Sequence, residues 1–342
     1  MAEQNITIVG GSGFIGGFLA RRLSDTFRVK VVDLRPISKD LEDVVSFEKV
    51  DIRSYNSVRE VIKGADLVIH TAIVAIPQIN KEKRLGYEVN VLGTQNLCEA
   101  VQKSKTAKGL LLTGTWHVFG DVGLEGLINE EYGCRPDKVE ERAKYYTLTK
   151  VAQETIVRLY DESSTKIFGI VRSGTVLAEG MPEKTAANIF VTNALKGGPI
   201  TPYRQSMHRP MLYVDGDDLC RAFTIYADKI LHEQIEESHD SLAHIVDFAY
   251  PKPITILELA HIVKDAVVEH SNGALSPEIE VVDRELPLLY NEADKDSITL
   301  DITKVRQFLG IQKLTSPEKA VRRLIRRKQH LLMQKEKTKN GC

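Results

Sequence analysis

Of the eleven tyrosines in this 342-residue chain, only Tyr146 is followed four positions later by a lysine, Lys150. On a helix that spacing stacks both side chains on one face. A tyrosine base needs such a neighbour: its reference pKa is about 10, so work near pH 7 requires a downward shift of about 3 units, or ~4 kcal/mol. A nearby ammonium favours the phenolate, as does a cationic cofactor ring beside it. A second stretch with chemical content is TGTWHVFGD, Thr113 to Asp121, directly after the apolar run GLLL. It offers two hydroxyls around a glycine, the only tryptophan and a histidine. The third is GGSGFIGG, where Gly10, Gly13 and Gly16 are spaced three apart with Phe14 and Ile15 among them. Glycines there let the backbone approach a phosphate, and the N–H groups opening a helix receive its charge. Asp33 follows about 20 residues on, where a carboxylate accepts hydrogen bonds from adenosine ribose hydroxyls and repels a 2′-phosphate. That favours NAD over NADP, with Arg35 close enough to hold a phosphate. Asp51-Ile52 is placed to border the adenine.

The elements that must position these residues alternate. ITIVGG (6–11), RVKVVDL (28–34), VVSFEKVD (44–51), DLVIHTA (66–72), GLLLTG (109–114) and KIFGIVRSG (166–174) read as strands. Between them run helices at about 13–23, 56–63, 86–104 and 140–161, the last carrying Tyr146 and Lys150. Near-continuous apolar strands alternating with helices imply an α/β fold, a parallel sheet covered on both faces, over residues 1–175. Residues 176–316 read mainly as a smaller lobe, with strand and helix returning to the core. It contains a strand at 244–250, a helix opened by the capping box TILE (255–258) and, after it, the segment IEVVD (279–283). An aspartate such as Asp218 is placed to cap the helix at about 217–230.

Composition excludes several classes. With 46 Lys+Arg, 47 Asp+Glu and a net charge of −1, the whole molecule has no bias toward nucleic acid. The basic residues concentrate in 317–342: nine Lys/Arg stand against Glu318 and Glu336. Leu324, Ile325, Leu331 and Leu332 share one helical face there, so the expectation is an amphipathic helix packed on the body. No apolar run reaches the ~20 residues that span a bilayer, and the chain begins directly with a strand and glycine loop, so a soluble, cytoplasmic protein is expected. Cys98, Cys134, Cys220 and Cys342 are widely spaced, which points to free thiols in a reducing compartment. No metal is expected: the nine histidines form no His-x₃-His or carboxylate cluster.

GGSGFIGG, VDLRP, VDIR, HTA, NVLGTQNLCEA, TGTWHVFGD, YYTLTK and LDITKVRQFLG occur in this order along nearly the whole chain. Together they resemble the extended short-chain dehydrogenase/reductase family, the NAD-dependent epimerase/dehydratase group. The resemblance implies a Rossmann doubly wound sheet, bound NAD and a Tyr/Lys/Ser-or-Thr site. Thr115 then takes the hydroxyl role beside Tyr146 and Lys150. His70, Thr71 and Ala72 border the dinucleotide, with Thr113, and Asn90 supports the site. The 4,6-dehydratases carry Thr-Asp-Glu where this chain has Thr115-Trp116-His117. Tryptophan cannot transfer a proton and histidine does not replace paired carboxyls, so elimination is not expected.

The smaller lobe implies the substrate contacts. Arg209, in HRPMLYV, matches an arginine that nucleotide-sugar enzymes present to the diphosphate. Thr175 stands where relatives often carry asparagine, and it joins Thr115, Trp116, His117 and Arg209 on the substrate side. The leading expectation is a nucleotide-diphosphate-sugar epimerase or related oxidoreductase. The alternative resembles 3β-hydroxysteroid/sterol dehydrogenases, which perform only the oxidation. A non-catalytic dinucleotide sensor comes third, because such relatives commonly lose the tyrosine or lysine kept here. The helices at 86–104 and 140–161 match those forming a homodimer interface in many relatives.

Overall fold

The computed structural model describes residues 4–340, and side chains up to 329. Its centre is a seven-stranded, wholly parallel sheet. The strands are β1 Asn5–Val9, β2 Arg28–Asp33, β3 Ser46–Lys49, β4 Leu67–His70, β5 Gly109–Thr115, β6 Ile167–Ser173 and β7 Ile245–Phe248. Their spatial order is β7-β6-β5-β4-β1-β2-β3. The order reverses between β1 and β4, and ligands of such sheets bind at the strand C-termini beside that reversal. This is the Rossmann-type α/β fold, with β7 returning from the later half of the chain.

Helices used below are α1 Phe14–Leu23, α2 Tyr55–Val61, α3 Gly93–Lys103, α4 Lys144–Glu162, α5 Ala186–Leu195, α6 Gly216–Leu231, α7 Ile256–His270 and α8 Pro317–Asn340. Successive strand residues point to opposite faces. Ile6, Ile8, Ile69 and Leu111 therefore pack with Leu19 and Leu23 of α1 and Leu219 and Phe223 of α6. Val9, Val68, Leu110 and Leu112 meet Val58, Leu97, Val101 and Val157 of α2, α3 and α4 on the other face. Each such side chain contributes about 1.5–3 kcal/mol when fully buried.

Several local expectations needed correction. The strand expected over 44–51 is only Ser46–Lys49, because β3 is the sheet's outer strand and Val44 is left exposed. The segment 279–283 forms bridges only, Ile200 with Ile279 and Tyr203 with Val282. Its partner contains Pro202, which has no N–H to donate. The helix expected over 86–104 is Lys83–Tyr87 and α3 joined by a π-turn, Glu88–Leu92. Asp215, not Asp218, caps α6, accepting from the N–H groups of Asp217 and Asp218. Asp218 instead accepts from the Thr315 N–H at 2.5 Å. The Thr255/Glu258 capping box opens α7 as read.

The basic C-terminal helix packs on the body. Ala320, Val321, Leu324 and Ile325 are buried, while Leu331 and Leu332 have side chains outside the described residues. Its charge is matched internally: Arg322 meets Glu269 at 2.8 Å, Arg323 meets Asp215 at 2.8 Å and Asp217 at 2.7 Å, and Arg327 meets Asp217 at 3.1 Å. Among the described residues no helix is long and apolar enough to cross a membrane.

Candidate active site

The glycine loop leaves β1 and enters α1 beside the sheet reversal. Gly10 has φ +85°, and a Cβ there would stand 2.3 Å from the Ala72 nitrogen. A Cβ on Gly16 would stand 2.3 Å from the Gly10 carbonyl and 2.6 Å from Thr71 Oγ1. Thr71 and Ala72, just past β4, thus wall the turn. Gly13 occupies the N-cap of α1 and no side chain caps it, so the helix opens with its own N–H groups. Phe14 and Ile15 form its first turn, half-buried. Asp33 ends β2 and ties the loop down, accepting from the Ser12 N–H at 3.1 Å and the Arg35 N–H at 3.0 Å. Arg35 leaves its side chain 69% exposed, 3.7 Å from Asp33, within reach of a ligand. A turn that admits no Cβ, an uncapped helix start and a carboxylate at the strand end are what a dinucleotide's phosphates and ribose require. Asp51 is taken up by Arg53, which holds its carboxyl below the usual range and also reaches Glu88 at 3.0 Å. Ile52 is buried against Gly93.

Helix α4 lies across the C-terminal end of β5. Lys150 is buried and donates to the Thr113 carbonyl at 2.7 Å and to Gln153 Oε1 at 2.8 Å. Burial pushes its ammonium down to about 7, opposed by the charge of Glu154. Gln153 passes the network on, donating to Thr94 Oγ1 at 2.9 Å and lying 3.3 Å from His70 Nε2. The sequence reading missed Gln153, although its i+3 spacing from Lys150 was the available signal. His70 is fully buried and pairs with Thr94 at 2.8 Å, so its imidazole turns into the interior rather than toward a dinucleotide. Burial and then Lys150 lower its pKa to about 3, which keeps the ring neutral. Asn90 sits on the π-turn and clamps residue 74, accepting from the Val74 N–H at 2.7 Å and donating to its carbonyl at 3.2 Å. It also donates to Thr149 at 3.0 Å, so it fixes the loop to α4 and makes no cofactor surface.

Thr115 is the last residue of β5 and the N-cap of a short 3₁₀ turn, Trp116–Phe119. Its side-chain oxygen accepts from the His117 N–H at 3.3 Å and stands 3.1 Å from His117 Nδ1. Burial raises the pKa of the Tyr146 phenol, and the neighbouring Thr115 side chain opposes that rise. His117 lies edge-on to Tyr146, ring centres 6.0 Å apart. Trp116 is buried at 2% exposure, stacks on His117 at 4.6 Å and donates Nε1–H to Thr175 at 3.3 Å. It is therefore the floor beneath the site rather than a substrate surface, and its bond occupies Thr175. Arg209 is 5% exposed and ion-paired to Asp121 and, at 3.3 Å, to Glu140. Those carboxylates already match the charge expected to meet a diphosphate.

The NAD dependent epimerase/dehydratase family model matches residues 6–237. The chain is 26% identical over 290 residues to UDP-glucuronic acid decarboxylase 1 of Danio rerio, covering 81% of this chain and 64% of that protein. It is 30% identical over 156 residues to a decarboxylating sterol-4-alpha-carboxylate 3-dehydrogenase of Bos taurus, covering 45% of this chain and 41% of that protein. The chain thus spans less than two thirds of the length of these two relatives. The NAD complex of the Thermus thermophilus UDP-glucose 4-epimerase shares the fold, with a TM-score of 0.72 at 21% identity over 94% of this chain and 98% of that one.

Proposed function

This chain belongs to the NAD dependent epimerase/dehydratase family, and from that premise we propose that it oxidises a secondary alcohol, or reduces the corresponding ketone, with Tyr146 as the acid/base. Bound in the glycine loop, NAD⁺ would supply the hydride acceptor. Gly10, Gly13, Gly16 and Asp33 hold it, and Lys150 presents a donor from the floor of the groove. Tyr146 takes the hydroxyl proton as the carbon gives up its hydride, and Thr115 steadies the oxygen on which charge develops. The observation that carries this reading is the gathering of Thr115, His117 and Tyr146 at the end of β5, where His117 lies 3.1 Å from Thr115 Oγ1 and edge-on to the Tyr146 ring, with Lys150 anchored one helical turn away on the carbonyl of Thr113. No carboxyl replaces Trp116-His117, so nothing here supports elimination.

Net oxidation or reduction is the outcome favoured by Arg209, whose charge is spent on Asp121 and Glu140. The second reading, epimerisation of a nucleotide-diphosphate sugar, is supported by similarity to the UDP-glucuronic acid decarboxylase along 81% of the chain. Incubation with NAD⁺ and a panel of sugar nucleotides, sterols and smaller hydroxy compounds separates them. A dehydrogenase accumulates NADH in step with product, whereas an epimerase interconverts isomers with no net NADH. Tyr146→Phe lowers either activity by about 10²–10⁴-fold; full turnover by that variant on a confirmed substrate rules out the tyrosine base. The proposal extends to a homodimer formed through α3 and α4 and to a reducing, cytoplasmic setting. Exposed Leu92, Leu148 and Leu159 support the first, and free Cys98, Cys134 and Cys220 the second.

A further inference from the structure

His117 is joined to two groups whose chemistry dictates its protonation. Its Nε2 lies 3.5 Å from Arg209 Nη2, and its Nδ1 lies 3.1 Å from Thr115 Oγ1. A guanidinium has donors and no acceptor, so Nε2 must accept. A neutral imidazole that accepts at Nε2 carries its hydrogen on Nδ1. Thr115 Oγ1 then accepts twice from one residue, from Nδ1–H and from the His117 backbone N–H at 3.3 Å. With both lone pairs used, the Thr115 hydroxyl has only its proton left to give.

We infer that His117 is a positioning residue, locked by Arg209 in the Nδ1–H tautomer, and that it forces Thr115 to act only as a donor, its single hydrogen facing Tyr146 in the free site and the reacting oxygen once substrate is bound. Asp121 and Glu140 complete the relay by holding Arg209 in place. The proton of the alcohol therefore has one destination, Tyr146, since Thr115 cannot accept it. In the reverse direction Thr115 already points its hydrogen at the carbonyl oxygen. The charged and titratable groups that act on the imidazole are Arg209, Arg142 and Glu140, with the Tyr146 ring edge-on to it, while Asp121 and Tyr290 lie on the far side of Arg209. Burial, followed by Arg209 and Arg142, holds His117 down at about 3, so a second ring proton is excluded at working pH. This assignment gives Arg209 a role other than binding a diphosphate.

The inference rests on the proposed acid/base reading, but its first test does not require activity. In protein labelled with ¹⁵N-histidine, with His117 assigned through His117→Asn, ring nitrogen shifts and long-range couplings report the tautomer. A neutral Nδ1–H ring unchanged from about pH 5.5 to about pH 8.5 is expected; an Nε2–H ring, or titration near the ordinary value of about 6.5, overturns the inference. The second test is the pH profile of kcat in protein whose fold is verified by circular dichroism. His117→Leu frees the Thr115 hydroxyl to rotate, so the ascending, acidic limb of the oxidation profile, set by the Tyr146 proton, moves up by about one pH unit and kcat falls about tenfold below that limb. His117→Asn, which retains a donor where Nδ1 stands, recovers part of both. Equal loss in the two variants at every pH, with no displacement of the limb, marks a purely structural histidine and overturns the inference. Should Tyr146→Phe remain active, the function proposal falls while the tautomer measurement still stands.

Discussion

Lys150 carries opposing demands. The proposed reaction needs its ammonium beside Tyr146, yet burial pushes that ammonium down to about 7 from an ordinary 10.5. The folded chain binds this proton more weakly than the unfolded chain does. The penalty is therefore complete below about pH 7 and is relieved as pH rises from there toward about 10.5. Lys150→Met should raise thermal stability at pH 6 and remove this rise from the pH dependence, while abolishing turnover. Melting curves of both proteins from pH 6 to 9 check it, and a variant less stable than wild type at pH 6 refutes the assignment. Cofactor retention then bears directly on Lys150: binding supplies an acceptor for its remaining donor hydrogen, so NAD should narrow the stability gap. Tyr146→Phe differs in leaving the charge in place. It should lower kcat by about 10²–10⁴-fold with NAD binding unchanged.

At the scale of elements, the glycine loop can be separated from ordinary turns by what a methyl group would meet. Gly16→Ala places a Cβ 2.3 Å from the Gly10 carbonyl, and neither backbone can yield without opening the β1–α1 turn. NADH titration by fluorescence should show binding lost in Gly16→Ala. Gly133→Ala, where nothing lies within 4 Å, should bind as wild type does. These glycines, the Tyr146/Lys150 spacing and the alternation of strands with helices were legible in sequence because each is a local pattern with a fixed period or spacing. What was not legible depends on residues far apart in the chain. Nothing near Arg209 announces that Asp121, 88 positions earlier, will take its charge. The π-turn that aims Asn90 at Val74 is one extra residue in a helix whose apolar spacing reads as continuous. The family resemblance placed His70 in the dinucleotide wall. Its side chain instead found Thr94 and Gln153, two residues that only packing brings together.

Across the whole molecule, the buried cluster of Arg172, Glu154 and Asp247 joins three elements that the chain contributes separately. Arg172 on β6 meets Glu154 of α4 at 2.5 Å and Asp247 of β7 at 3.4 Å, all nearly without solvent. Removing the cation leaves two carboxylates buried with each other, so Arg172→Met should cost about 3–5 kcal/mol in denaturant unfolding. It should also loosen β7, the strand supplied by the later half of the chain. The opposite, outer side of α4 presents a different kind of surface. Leu148 and Leu159 are 43% and 58% exposed and lie three helical turns apart, hence on one face. Leu92 adds a further 47% exposed side chain at the adjoining helix. An apolar surface of this kind stays in unfavourable contact with water until a partner covers it, and a second copy offers the matching face through two-fold symmetry. Sedimentation velocity should find a dimer for the wild type and a folded monomer for Leu148→Glu/Leu159→Glu. The site residues all come from one chain, so that monomer should keep its NAD affinity, and a wild-type protein that sediments as a monomer at micromolar concentration refutes the interface.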